Sequence, residues 1–280
     1  VCSSDLKHLR VAGADVIFST VLGDDDYKRF VLDDLKKYGI DCQAIIDKSR
    51  PTTNKNAIVA EGYRLLKIDR LDNRSISEKI LLQLRKQISL NPADAVIFSD
   101  FRHGIFNPHT IPPLIESIPK GVFRVADSQV ASRWGNILDF KGFDLLTPNE
   151  REARFSLGDQ DSVVRPLAFN LYKKAECRML ILKLGHRGIL TYRNRPEGDP
   201  RMFIAIDSFV DNLVDAVGSG DAMLAYATLA MLSTGKEATA AIIGSFAAAV
   251  ECEKDGNVPV KPQDVIEKID AAERRARYQI

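Results

Sequence analysis

Short apolar, strand-like runs alternate with stretches of helical period along most of this chain, and no other feature narrows its fold as far. Parallel strands cannot be joined by a tight turn. Each needs a crossover, usually a helix, so sustained alternation implies a mostly parallel sheet with helices on both faces. A strand is predicted over 15–22, then a helix over 26–38 with Phe30, Val31, Leu35 and Tyr38 on one face, stopped by Gly39. Short β runs follow at 44–46, 57–60 and 65–68, the last two joined through Glu61-Gly62 as a hairpin. Beyond a helix at 77–88, strands at 95–99, 122–126, 145–147 and 179–184 interleave with helices at 110–118, 150–157 and 163–174. Two further β segments, 188–192 and 203–206, precede closing helices at 222–232, 237–251 and 262–271.

A chain of 280 residues can bury a large core, and one large α/β domain accounts for it without independent modules. Its 39 basic and 38 acidic residues leave a net charge of +1, which gives no electrostatic footprint for nucleic acid or an anionic membrane. Neither is expected as a partner. No apolar run reaches the roughly 18 residues of a membrane-spanning helix. Cys2, Cys42, Cys177 and Cys252 lie far apart, with no C-x-x-C pair and no histidine at metal-ligand spacing. That pattern suggests neither a zinc site nor a disulfide framework, and a reducing cytoplasm is the expected compartment. The opening residues, Val1-Cys2-Ser3-Ser4-Asp5-Leu6, lack an initiator methionine and read as translated adapter sequence, so the chain is expected to be truncated at its N-terminus.

Chemistry concentrates in Asp215-Ala216-Val217-Gly218-Ser219-Gly220-Asp221, which runs straight into an apolar helical stretch. Helix N-termini carry unpaired N–H donors and about half a positive charge, so such a loop can hold phosphate oxygens. An aspartate beside that cradle, kept ionised by the helix dipole, can accept a proton from an attacking hydroxyl. The same residues also suit an ordinary capped helix start. The spacing fits neither G-x-x-x-x-G-K-[ST] nor G-x-G-x-x-G, so a phosphate site here is of a third kind. In open α/β sheets ligands bind beyond the C-terminal ends of the strands. Polar residues stand at four such ends: Ser99-Asp100, Asp127-Ser128-Gln129, Thr147-Pro148-Asn149 with Glu150-Arg151-Glu152, and Lys183-Leu184-Gly185-His186-Arg187-Gly188.

In this order the motifs resemble those of the ribokinase-like (PfkB) carbohydrate kinases, and most closely the branch acting on D-glycero-β-D-manno-heptose 7-phosphate. Asp215 to Asp221 is similar to the family's D-T-x-G-[AS]-G-D signature, Asn149 with Glu152 to its N-x-x-E motif, and Lys183-Leu184-Gly185 with Gly188 to its nucleotide-side strand and turn. Gly13-Ala14-Asp15 and Gly23-Asp24-Asp25 resemble its first α/β unit; Arg50-Pro51-Thr52-Thr53 with Lys55, Leu65 to Asp69, and Gly256 to Val260 carry the branch-level likeness. The fold so implied is a three-layer ribokinase-like α/β sandwich over 1–280, with helices on both faces and a small β lid at 43–70. Because relatives carry about fifty residues before Leu6, the first strand and part of the lid are expected to be missing.

The resemblance implies ATP-dependent phosphorylation of a sugar or sugar-phosphate hydroxyl, at position 1 for the heptose branch. Asp221 would be the general base, and the N–H groups of Gly218, Ser219 and Gly220 the anion hole. Asn149 and Glu152 would place Mg²⁺ on the triphosphate, with Gly185, Gly188 and Lys183 around the nucleotide. Asn149 and Glu152 suit an ordinary capping box equally, and Lys183 a solvated strand end. Thr53, Lys55, Asp100 and Asp127 would face the sugar or its phosphate. Asp215 would join a K⁺ site, although Ala216 and Val217 stand where the family has threonines. Relatives place an arginine at Ala57 and lysines near His103 and Gln129, so positive charge is lost where an anionic sugar would sit. Another sugar, an uncharged one included, or a nucleoside is the alternative; a nonenzymatic sugar- or nucleotide-binding relative is the reading from another class. A homodimer through the lid and, in the parent protein, a nucleotidyltransferase domain beyond Ile280 are further expectations from the branch.

Overall fold

The computed structural model describes residues 4–60, 63–129, 136–196 and 198–278. It comprises two compact units, one of Asp15–Pro92 with Arg102–Lys120, the other of Ser4–Ala14, Ala93–Phe101 and Gly121–Ile280. Helix α1 (Ser4–Val11), first in chain order, belongs to the second.

The first unit is built from two small sheets. β1 (Ile17–Leu22) pairs in parallel with β2 (Asp41–Ile46), from Ile17 opposite Asp41 to Leu22 opposite Ile46. Between them runs α2 (Asp26–Lys37). Asp25 caps its start by accepting from the Lys28 amide, and Gly39 leaves its end in the left-handed region. Of the apolar face predicted for this helix only Leu35 is buried, while Phe30 is 64% exposed. β3 (Asn54–Ala60) and β4 (Tyr63–Arg70) form an antiparallel hairpin with a register shift between Ile58 and Val59. The predicted Glu61-Gly62 turn lies outside the described residues. α3 (Glu78–Leu90), capped by Ser77, packs with α4 (Ile111–Glu116), and Leu84, Ile111 and Leu114 are buried.

The second unit holds a six-stranded sheet in the order β10-β9-β8-β7-β6-β5. β5 (Ala95–Asp100), β6 (Phe123–Ser128), β7 (Leu145–Leu146) and β8 (Met179–Lys183) are parallel neighbours; β9 (Ile189–Arg193) and β10 (Phe203–Ile206) return antiparallel. Near-continuous apolar sequence in β8, Met179-Leu180-Ile181-Leu182, is what burial on both faces demands. α7 (Ser219–Thr234) and α8 (Glu237–Cys252) cover one face, where Val125, Leu145, Met179 and Ile181 pack with Met223, Leu224, Ala227, Ala240 and Ala241. α5 (Glu150–Leu157) and α6 (Val164–Ala175) pack on β8, and α9 (Pro262–Tyr278) packs on α8. The alternating prediction holds through this unit, with boundaries moved by a few residues. Helix α1, in the stretch read as adapter sequence and just beyond it, was not foreseen; it packs against α7.

Candidate active site

Parallel strands end in step, and in the second unit their ends gather one group of ionisable side chains. β6 delivers Asp127, β8 delivers Lys183, the cap of α5 delivers Glu152, and the first turn of α7 delivers Asp221. Lys183 Nζ lies 3.3 Å from Asp127 Oδ1 and 3.4 Å from Oδ2, and Thr147 Oγ1 donates to Asp127 Oδ1 at 3.2 Å. The Lys183 amide donates to the Pro148 carbonyl at 2.9 Å, which ties the lysine strand to the Asn149 cap beside it. With its side chain only 17% exposed, Lys183 is an ion-paired interior residue, not the solvated strand end that its sequence alone permits.

The electrostatics follow from three carboxylates sharing one ammonium. Burial by itself would lower the Lys183 pKa, but Asp127, Glu152 and Asp221 outweigh it and raise it. Burial pushes the Glu152 carboxyl up to about 7 against the pull of Lys183. Asp221 is raised too, by burial first and then by Asp127, with Lys183 opposing. The direction is opposite to that expected from the helix dipole alone, because desolvation and a neighbouring carboxylate outweigh the dipole. A base with a raised pKa is the better matched to proton abstraction near neutrality. On α1, Asp5 is buried and raised to about 7, by desolvation and then by Asp221.

The glycine loop is shaped by its supports. Asp215 Oδ1 accepts from the Val217 amide at 3.0 Å, and the Val214 and Asp215 amides both donate to the Cys252 carbonyl. Gly218 has φ +90°, and a Cβ there would lie 2.7 Å from Glu251 Oε1, so a side chain is excluded by both conformation and space. α7 then begins at Ser219, and a helix leaves its first-turn amides without helical partners. Of these, the Ser219 amide makes a long contact to the Ala216 carbonyl, 3.4 Å.

On the side predicted for the nucleotide, Asn149 and Glu152 form a complete capping box. Glu152 Oε2 accepts from the Asn149 amide at 2.7 Å, and Asn149 Oδ1 accepts from the Glu152 amide at 2.9 Å. The bland reading of this pair is therefore realised, and it also aims Glu152 at the charged group. Gly185 and Gly188 close the turn after β8 through a 3.0 Å amide–carbonyl bond; a Cβ on Gly188 would stand 2.0 Å from the Ile206 carbonyl oxygen. Among the described residues no three His, Cys, Asp or Glu side chains are grouped to hold a metal ion. The buried Glu152 suits a magnesium ion that arrives on the nucleotide and keeps its waters, not a protein cage.

The residues predicted for the acceptor fall into both units. Asp100 and Asp127 end neighbouring strands of the second, with Asp100 Oδ2 accepting from Ser128 Oγ at 2.8 Å. Thr53 and Lys55 belong to the first. There Lys55 and Lys67 lie on one face of the hairpin, and His103 is pushed down to about 4 by burial and then by Lys55. Sequence reasoning missed Glu251. It is buried beneath Gly218, and desolvation raises it to about 7 against the opposing pull of Lys254 and the Val258 amide. Its signal was a lone acid closing the apolar run Phe246-Ala247-Ala248-Ala249-Val250.

Comparison with known proteins bears on the fold and the family. The crystal structure of phosphofructokinase-2 from Escherichia coli in complex with potassium and the structure of ribokinase from Giardia lamblia superimpose with TM-scores of 0.78 and 0.75, each at 16% identity over 96% of this chain; they are covered to 85% and 87%. The fold is thus the ribokinase-like α/β fold. Residues 6–263 match the model of the pfkB family carbohydrate kinases, and the chain belongs to that family. Among curated relatives, the bifunctional protein HldE of Rhodopseudomonas palustris is 30% identical over 272 residues, 94% of this chain and 54% of that protein. HldE of Wolinella succinogenes is 26% identical over 276 residues, 95% and 56%. The chain spans about half the length of the curated relatives it matches. Among the described residues no helix is long and apolar enough to cross a membrane.

Proposed function

We propose that this chain transfers the γ-phosphoryl group of ATP to a hydroxyl of a sugar or sugar phosphate. The observation that carries the reading is Asp221 in the first turn of α7, immediately after the side-chain-free Gly218 and Gly220. In the proposed step the sugar oxygen bonds to phosphorus, the bond to the leaving ADP oxygen breaks with its electron pair, and the hydroxyl proton passes to the Asp221 carboxylate. Amides of the loop hold the transferring group at the positive end of α7. Asn149 and Glu152, with the turn of Gly185 and Gly188, serve the nucleotide side; magnesium, when bound, neutralises charge on the triphosphate. We take the two compact units as parts of one kinase domain, with 43–70 as its lid and the lid as a route to a homodimer.

The finer reading is a heptose 7-phosphate kinase. The likeness to HldE proteins supports it, as do Lys55 and Lys67 on one hairpin face, since a phosphorylated acceptor needs cations. Potassium activation is proposed through Asp215 and backbone carbonyls only, because Ala216 and Val217 offer no hydroxyl. ADP release is to be measured for the chain with heptose 7-phosphate, ribose, fructose and nucleosides, in KCl and in a potassium-free buffer. Asp221→Asn should reduce turnover about a thousandfold while ATP affinity stays within a few-fold. Turnover retained by that variant would remove Asp221 from the role of base.

A further inference from the structure

Lys183 is the cation that the arrangement leaves unexplained. Its ammonium is not at the surface, it makes its two bonds to the oxygens of Asp127, and three donors leave it one N–H beyond that pair. That end of the side chain abuts the first turn of α7: a Cβ on Gly220, the residue before Asp221, would lie 3.2 Å from Nζ. Gly220 therefore has a second use besides its amide, because the missing side chain lets an ammonium reach the helix start. Its surroundings show why a cation is needed there. Asp127, Glu152 and Asp221 all act on Lys183, so without the lysine a phosphoryl group held by the α7 amides would face three carboxylates uncompensated by that ammonium.

We propose that Lys183 is a catalytic cation that contacts the transferring phosphoryl group at the N-terminus of α7, and that Asp127 is its positioning residue and not a ligand of the sugar. Resting on the phosphoryl-transfer reading, this assigns each charge a use. As the bond to ADP breaks, negative charge grows on the phosphoryl oxygens and the leaving oxygen, and the ammonium stabilises it without giving up a proton. Asp221 takes the hydroxyl proton, so base and cation stay separate groups. Asp127, which accepts from Thr147 Oγ1, holds the lysine ammonium beside Gly220.

A transition-state mimic separates this role from simple nucleotide tethering. Binding of ADP alone and of ADP with aluminium fluoride and magnesium is to be measured by calorimetry for the 280-residue chain and for Lys183→Met. The variant should weaken the aluminium fluoride complex about a hundredfold, the range for losing one charge-stabilising donor, and change ADP affinity by no more than about threefold. Equal weakening of both, or of neither, would overturn the proposal. Lys183→Ala supplies the second measurement: added ethylammonium should restore tight binding of the mimic, and Lys183→Arg should retain more of it than Lys183→Met. Absence of rescue in a folded Lys183→Ala chain also counts against it. If the wild type binds the mimic but releases no ADP with any sugar, the sugar-kinase reading fails while the Lys183 comparison still gives its answer.

Discussion

The two compact units differ in how they use apolar sequence. In the second, β8 is buried on both faces, with Met179, Leu180, Ile181 and Leu182 all at 0% exposure. In the first, the hairpin of β3 and β4 leaves Ile58, Leu65, Leu66 and Ile68 between 47% and 66% exposed. The proposed phosphoryl-transfer chemistry stands wholly on the first kind of support. Charges shifted by burial, such as Glu152 and Asp221, need a wall of low polarizability that does not move. A two-stranded hairpin is marginal by itself, and its apolar face is what a partner or a ligand-bound state would cover. The difference teaches that the proposed transfer site stands on a sheet buried on both faces, whereas the hairpin carrying Lys55 and Lys67, proposed for the acceptor, has no such support.

Substitutions can break that contrast in order of size. Ile181→Ala, in the cluster between the sheet and helices α7 and α8, should cost about 3 kcal/mol by chemical denaturation. A loss under about 1 kcal/mol would mean that this core is looser than its burial indicates. Gly188→Ala should cost about 2 kcal/mol and weaken ATP binding, since the turn must move away from the Ile206 carbonyl; unaltered affinity would detach that turn from the nucleotide.

Glu251→Gln sharpens the electrostatic side of the comparison. The folded-state pKa of Glu251 is raised to about 7 from 4.5, so the folded chain holds a proton that the unfolded chain has lost between those values. Stability therefore falls as pH rises from about 4.5 through 7. The penalty at pH 8 is on the order of 3 kcal/mol, and the variant should flatten this dependence. Denaturation midpoints at pH 5 and pH 8 that shift in parallel for both proteins would exclude Glu251 as its source. Smallest of all, Leu66→Ser on the open hairpin should change stability by less than about 0.5 kcal/mol. A larger loss would show that the hairpin face is covered in solution.

Most elements were legible because each carries a local signal. The Asn149–Glu152 capping box, the Ser77 cap, and the β8 run all depend on residues a few positions apart. Phe30 shows where periodicity fails: it shares the predicted apolar face of α2 with Leu35, yet it is 64% exposed while Leu35 is buried. Lys183 and Glu251 show the complementary failure. A lysine at a strand end and an acid at a helix end are ordinary in sequence, and their surroundings are assembled from residues tens of positions away. Asp127 and Lys183 are 56 residues apart, and Gly218 meets Glu251 across α7 and α8.

By itself the sequence determined the α/β alternation, the caps and turns, and the order of motifs that marks a pfkB family kinase, since these are set by backbone propensity and short-range spacing. Only the tertiary structure decided which charges share a volume, how deeply they are buried and which way their proton affinities move. Those depend on distance and dielectric, and both exist only once the strand ends have been brought together.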